Sequence, residues 1–258
     1  MTTVARWVLL AGFAVVCCSL AVGQANPSPL TYDVVSVRPS DPNVEPTGIN
    51  PLPNGVGYNG FGVTVREMLC VMYRLPERQI IGGPDWVDSA KFDVLVRANH
   101  RYSIDELHMM FQNMLADRFK LRSHIQIKQG PIYALTVAKS GLKMTPVEEG
   151  FVRNSPIQTE SEDVFTADRV PMNYLCFWLS IKLEEDHRPV VDLTGLTGHY
   201  DFRLSFRPQL PPEVSSAHES SLPSIFDAVK DQLGLLLTPR KGPIQMLVID
   251  QVEKPTEN

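Results

Sequence analysis

Three sets of residues in the chain are of catalytic or ligating type. The first is Pro84-Asp85-Trp86-Val87-Asp88, followed shortly by Asp93. Paired carboxylates beside an aromatic ring are groups that a glycan-cleaving site would need. The same residues also make a turn, with each Asp binding nearby backbone amides while Trp86 covers the core. Asp85, Trp86 and Asp88 are therefore surface-site candidates, with the turn as their ordinary use. The second is Glu184-Glu185-Asp186-His187, a set of hard oxygen donors beside an imidazole that would suit a hard cation. It follows a helical pattern and precedes Arg188-Pro189, so a solvated helix end is its ordinary reading. The third is the cysteine pair, Cys70 and Cys176, discussed below with the compartment.

Other chemistries lack their residues. The histidines stand at 100, 108, 124, 187, 199 and 218, scattered along the chain. Gly48, Gly55, Gly57, Gly60 and Gly62 lie in a Pro-rich stretch and not between a strand and a helix, so they make no phosphate loop. The sequence contains no G-x-S-x-G nucleophile elbow, no C-x-x-C and no H-E-x-x-H. No residue is assigned as catalytic, cofactor-binding or metal-binding, and no cofactor is expected.

The elements that must position these residues recur. A cap residue opens four helical patterns, at Thr64, Ser103, Pro171 and Ser224. Thr64 with Glu67 and Ser103 with Glu106 are capping boxes, in which side chain and backbone satisfy each other. Pro171 suits a first helical turn. Ile104, Leu107, Phe111, Met114 and Leu115 make one apolar stripe. After each helix comes a short apolar stretch, then Gly or Pro, then a strand. The punctuating residues are Gly82-Gly83-Pro84, Gly130-Pro131, Leu196-Thr197-Gly198 and Gly242-Pro243, all expected as turns. The strands are Phe92–Val96, Tyr133–Val137, Tyr200–Leu204 and Met246–Ile249. Asn54-Gly55 is a hairpin signal upstream.

The 258 residues are 43% hydrophobic and 21% charged, with a formal net charge of −5. Ordinary apolar content excludes wholesale disorder, and the acidic balance excludes a general nucleic-acid binder. Residues 1–25 read as a secretory signal peptide. Arg6 precedes an apolar run from Trp7 to Val22, and Gly23-Gln24-Ala25 places small residues for cleavage after Ala25. Cleavage leaves 233 residues, removes Cys17 and Cys18, and implies a secreted or periplasmic protein with no remaining membrane span. In an oxidising compartment Cys70 and Cys176 could form a disulfide. Each also sits in an apolar helical pattern, where a free thiol behaves as a small hydrophobe.

The expected fold is α+β: four helix–strand–strand units packed as two similar halves, with mixed or antiparallel sheets. The first half spans 26–145 and the second 163–252, joined by a linker at 146–162. A Pro/Ser-rich loop covers 207–223, and 253–258 form a tail. The chain has 21 prolines, and much of the excess over the usual share falls between the units.

Several motifs together resemble a known family. They are Val63–Met68, Ile81–Trp86, Phe92-Asp93-Val94, Leu115–Leu121, Pro189–Phe202 and Val248–Asn258. The chain is similar to a secreted paralogous family of uncharacterised proteins expanded in soil Acidobacteria. The resemblance implies no activity, cofactor or catalytic residue. The expected function is a non-enzymatic interaction or binding module of the cell envelope, its partner an envelope protein or small ligand. The alternatives are an extracytoplasmic ligand-sensing domain and, third, an envelope hydrolase using the Asp85–Asp88 turn.

Overall fold

The computed structural model describes residues 30–150, 155–161, 163–207 and 221–255. The expected signal peptide lies outside them, as does most of the 207–223 loop. The described chain is α+β, with five helices and twelve strands in three four-stranded sheets. No helix among these residues is long and apolar enough to cross a membrane.

The first half runs β1 (Val34–Pro39), β2 (Gly48–Pro51), β3 (Gly57–Val63), α1 (Val65–Tyr73), β4 (Ile80–Gly82), α2 (Trp86–Ser89), β5 (Phe92–Arg97), α3 (Ile104–Arg118) and β6 (Arg122–Val137). The second runs β7 (Thr145–Val147), β8 (Ile157–Ser161), β9 (Val164–Pro171), α4 (Met172–Lys182), β10 (Val190–Asp192), β11 (His199–Ser205), α5 (Ile225–Ala228), a π-helical continuation at Val229–Leu233, and β12 (Leu235–Gln251). One sheet has the order β1-β5-β3-β2 and another β7-β11-β9-β8. Apart from the short α2, the second half repeats the first element by element.

The third sheet, β10-β6-β12-β4, joins the halves by exchange. β6 leaves α3 in the first half and ends in the second, where β10 pairs parallel with Tyr133–Leu135. β12 leaves the second half and returns to the first, where β4 pairs parallel with Leu247–Ile249. Between these ends β6 and β12 pair antiparallel along their whole length. Burial follows the exchange. Leu247 and Ile249 complete the core of α1, α3 and the first sheet, whereas Tyr133 and Leu135 belong to the core of α4 and the third-quarter strands. Each half thus lends the other part of its core, which sequence order alone does not suggest.

Local chemistry sets the helix starts. Thr64 and Ser103 accept from the amides of Glu67 and Glu106, whose carboxylates accept from the cap amides at 2.7 and 2.8 Å. Asn54 and Gly55 turn the β2–β3 hairpin with positive φ at both, as that dipeptide favours. The repeated Phe92-Asp93 and Tyr200-Asp201 pairs have a structural role. Asp93 accepts from the amide of Gly62 at 3.2 Å, and Asp201 from that of Arg169 at 2.8 Å. Gly62 and Arg169 both have positive φ and stand at bulges just before α1 and α4. Each carboxylate therefore satisfies an amide that the bulge removes from the ladder.

Two expectations are corrected. Gly130-Pro131 and Gly242-Pro243 are not turns; both lie inside the long strands, with Gly130 opposite Gly242. A Cβ on Gly130 would meet Ile244 Cδ1 at 2.6 Å, and one on Gly242 would meet Ile132 Cδ1 at 2.5 Å. Glycine is there to let the facing isoleucines lie across the backbone. The prolines cost the ladder nothing. Tyr133 donates its amide outward to Pro189 at 2.9 Å, so by alternation Pro131 and its opposite numbers also face away from the partner strand. The 146–162 stretch, expected as a linker, supplies β7 and β8 at the edges of their sheet. Short polar edge strands carry little hydrophobic pattern, which hides them from sequence reading.

Candidate functional site

Where α1 and α4 approach each other, the middle of the β6–β12 ribbon is left uncovered and a cleft of about 710 Å³ opens. Its floor is Ile127, Pro243 and Gln245. One wall is the end of α1 with α3, and the other is α4 with β10. The volume falls in the range of small-ligand sites, about 300–1,000 Å³. The lining mixes Met72, Leu75, Met109, Ile127, Phe177 and Val190 with a few convergent polar groups. Met109 and Ile127 are 51% and 55% exposed, the two most exposed of the large apolar side chains in the described chain.

Arg74 is the polar centre. It closes α1 in a left-handed conformation with φ of 54°, its amide bonded to the carbonyls of Cys70 and Val71. That geometry turns its side chain across the cleft. The guanidinium pairs with Asp105 of α3, and Nη1 donates to Asn173 Oδ1 at 3.0 Å. It also stands over the Tyr174 ring at 5.6 Å. The side chain is only 9% exposed, and its Nε is buried without a partner. Arg74 is thus a strut between the halves that keeps one donor in reserve. A buried guanidinium needs such pairing to offset its desolvation.

The wall behind it is fixed by His108 and Gln112. Gln112 Nε2 donates to the Met72 carbonyl at 2.8 Å, and His108 bonds the same carbonyl. Together they satisfy an acceptor left open at the end of α1. Burial, helped by the Arg74 charge, pushes the His108 imidazole down to about 3. It is therefore neutral at physiological pH and serves as a structural donor. On the opposite wall, Ser180 donates to Cys176 and accepts from the Val190 amide at 2.8 Å, pinning β10 to α4. Gln79 donates to the Gln245 carbonyl at 2.7 Å, tying the floor to the first half.

The residues singled out by sequence lie elsewhere. Asp88 is held by Arg66, which also donates to the Ile80 carbonyl at 2.6 Å. That pairing keeps its carboxyl below the usual range. Trp86 packs edge-on against Phe92 with Lys254 over its ring, and Asp85 opens α2. None of the three lines the cleft. Cys70 and Cys176 are free thiols in different cores. Burial pushes Cys70 up to about 12 and Cys176 higher still, so neither is a thiolate nucleophile. Asp186 accepts from Tyr133 at 2.9 Å, and His187 terminates the turn with positive φ. Among the described residues no group of three or more His, Cys, Asp or Glu is placed to hold a metal. Sequence reading missed Arg74, Asp105 and Asn173. The one available signal was His108, a polar residue on the buried face of an amphipathic helix.

Fold and cleft together define a duplicated, strand-exchanged α+β scaffold with a polar-centred cleft between its halves. The chain belongs to the DUF3738 family of proteins of unknown function, whose model matches residues 66–252. That span takes in the helices, the exchanged strands and every residue of the cleft. No curated protein and no solved structure matches the chain.

Proposed function

We propose that the protein is an exported, non-enzymatic binding module of the cell envelope, and that the cleft is its binding site. The observation that carries this is the concentration of exposed apolar side chains around one buried, incompletely partnered arginine. Apolar walls with a few convergent polar groups are the usual make-up of a small-ligand site. The same observation favours the ligand-sensing reading over capture of a whole protein partner. The hydrolase reading loses its support, because Asp88 is committed to Arg66 and stands outside the cleft. Export rests on the charged, apolar and small-residue order of residues 1–25. A soil-acidobacterial origin of the family's expansion rests on the motif resemblance alone.

The test is a titration of the chain lacking residues 1–25 with 8-anilinonaphthalene-1-sulfonate, an apolar anion. Saturable binding to the native protein is expected, weakened about tenfold, or ~1.4 kcal/mol, by Met109→Asn combined with Ile127→Asn. Absence of saturable binding, or binding untouched by the two substitutions, contradicts the reading.

A further inference from the structure

β6 and β12 each present an outer edge that a short strand covers for only three residues. Among the described residues, the rest of each edge pairs with no strand. The duplication makes the two bare stretches equivalent, since Leu247 meets β4 as Tyr133 meets β10. Yet they are finished differently. On β12 the successive outward-facing positions are Pro239, Lys241 and Pro243. Two of these have no N–H and the third carries a charge, the ordinary means of blunting a sheet edge. The equivalent positions on β6 are Ile125, Ile127 and Gln129, all with N–H groups. Ile125 is 47% exposed and Ile127 55%. One edge is closed and its duplicate is left open.

We propose that the Ser123–Gln129 edge of β6 pairs antiparallel with the same edge of a second copy of this chain. The pairing makes a two-fold dimer with a continuous sheet and goes beyond ligand binding, sharing with the cleft only Ile127 of its floor. The sequence of the edge is self-complementary. Outward-facing odd positions must meet odd positions, and one register sets Ile125 against Ile127 of the second copy in both directions. Gln126 then lies on the axis. Lys128 faces His124, whose imidazole is bonded to Asp250 at 2.9 Å, so the ammonium meets a carboxylate-bearing pair. Strand addition supplies main-chain bonds, and an isologous interface lets one edge serve both copies.

Sedimentation of the chain lacking residues 1–25 should show a dimer across the micromolar range. Gln126→Cys should give a covalent dimer on mild oxidation. Directly opposed residues of a non-hydrogen-bonded pair have Cα atoms about 4.5 Å apart, within disulfide reach of about 4.4–6.8 Å. Ser123→Cys should not, because this register separates the two copies of residue 123 by about 20 Å. Ile125→Pro with Gln129→Pro transplants the β12 finish onto β6 and should yield a monomer that still unfolds cooperatively, with a melting temperature that no longer rises with protein concentration. A monomeric parent chain, equal cross-linking from Ser123→Cys, or a proline variant that stays dimeric overturns the proposal. If the proline pair prevents folding, the two cysteine variants decide.

Discussion

The two halves of the molecule follow one plan with different residues, and they diverge most where they face each other. α1 starts from a capping box, whereas its counterpart α4 starts from Pro171 with no side-chain cap. α3 is fifteen residues long and carries Asp105, His108 and Met109 into the cleft, while α5 is a single turn running into a π-helix. The first half supplies Arg74, Asp105 and the buried imidazole of the cleft; the second supplies Asn173, Ser180 and Asp192 at the end of β10. Duplication built a symmetric frame, and the two sides line the cleft with different residues. The exchange of β6 and β12 keeps the sides in register, because neither core is complete without the other half's strand.

Dividing the chain should have the largest effect. Residues 26–145 alone lack Leu247 and Ile249 and leave β4 without its partner strand. This fragment should show no cooperative unfolding transition by circular dichroism; a cooperative melt of the isolated half would break the comparison. Next comes the pair that links helix to long strand. Gly234 and Lys120 hold equivalent positions with φ of 71° and 49°. A Cβ at Gly234 would meet the Gly141 carbonyl at 2.0 Å. Gly234→Ala should therefore cost about 3 kcal/mol or more. Lys120→Gly should be neutral or stabilising by up to about 1 kcal/mol, since it relieves a left-handed side chain. Urea denaturation of both variants checks the contrast.

His108, buried in the first half, should give the whole interlocked fold a pH dependence. Its folded-state pKa is depressed to about 3, so the unfolded chain binds the proton more readily. Its contribution is fully present above about pH 6.5. It falls by about 1.4 kcal/mol for each pH unit below that, until about pH 3. Melting curves from pH 7 to about 4 should show this slope flattened in His108→Gln. A smaller and matched effect is expected from the bulge carboxylates. Asp93→Ala and Asp201→Ala each leave a bulge amide without its acceptor and should each cost about 1–3 kcal/mol. A large inequality between them would show that the bulges are not equivalent.

Much of this frame was legible. Thr64-x-x-Glu67 and Ser103-x-x-Glu106 announced two helices, Asn54-Gly55 a hairpin, and the short apolar stretches after the first and third helices the strands β4 and β10. These are local signals with local causes. The exchange was hidden, because periodicity reports which face of a strand is buried and says nothing about which half buries it. Gly130-Pro131 and Gly242-Pro243 read as turns because those residues usually punctuate strands. Here Gly makes room for an isoleucine and Pro faces outward, uses that appear only once the pairing is known. The cleft was hidden for the same reason. Arg74, Asp105 and Asn173 are far apart in sequence and meet only through packing. Asp85, Trp86 and Asp88, the most conspicuous cluster in the sequence, are conspicuous because turns and edge ion pairs use the same residue types.

Interlocking of the halves is the central claim, and each half carries its own reporter, Trp86 in the first and Trp178 in the second. In the chain lacking residues 1–25, Trp86→Phe leaves Trp178 to report and Trp178→Phe leaves Trp86. Unfolding each variant in urea, followed by tryptophan fluorescence and by circular dichroism, measures whether the halves come apart together. Strand exchange predicts that within each variant the two signals coincide in a single transition. A half that melts at its own separate midpoint would contradict it.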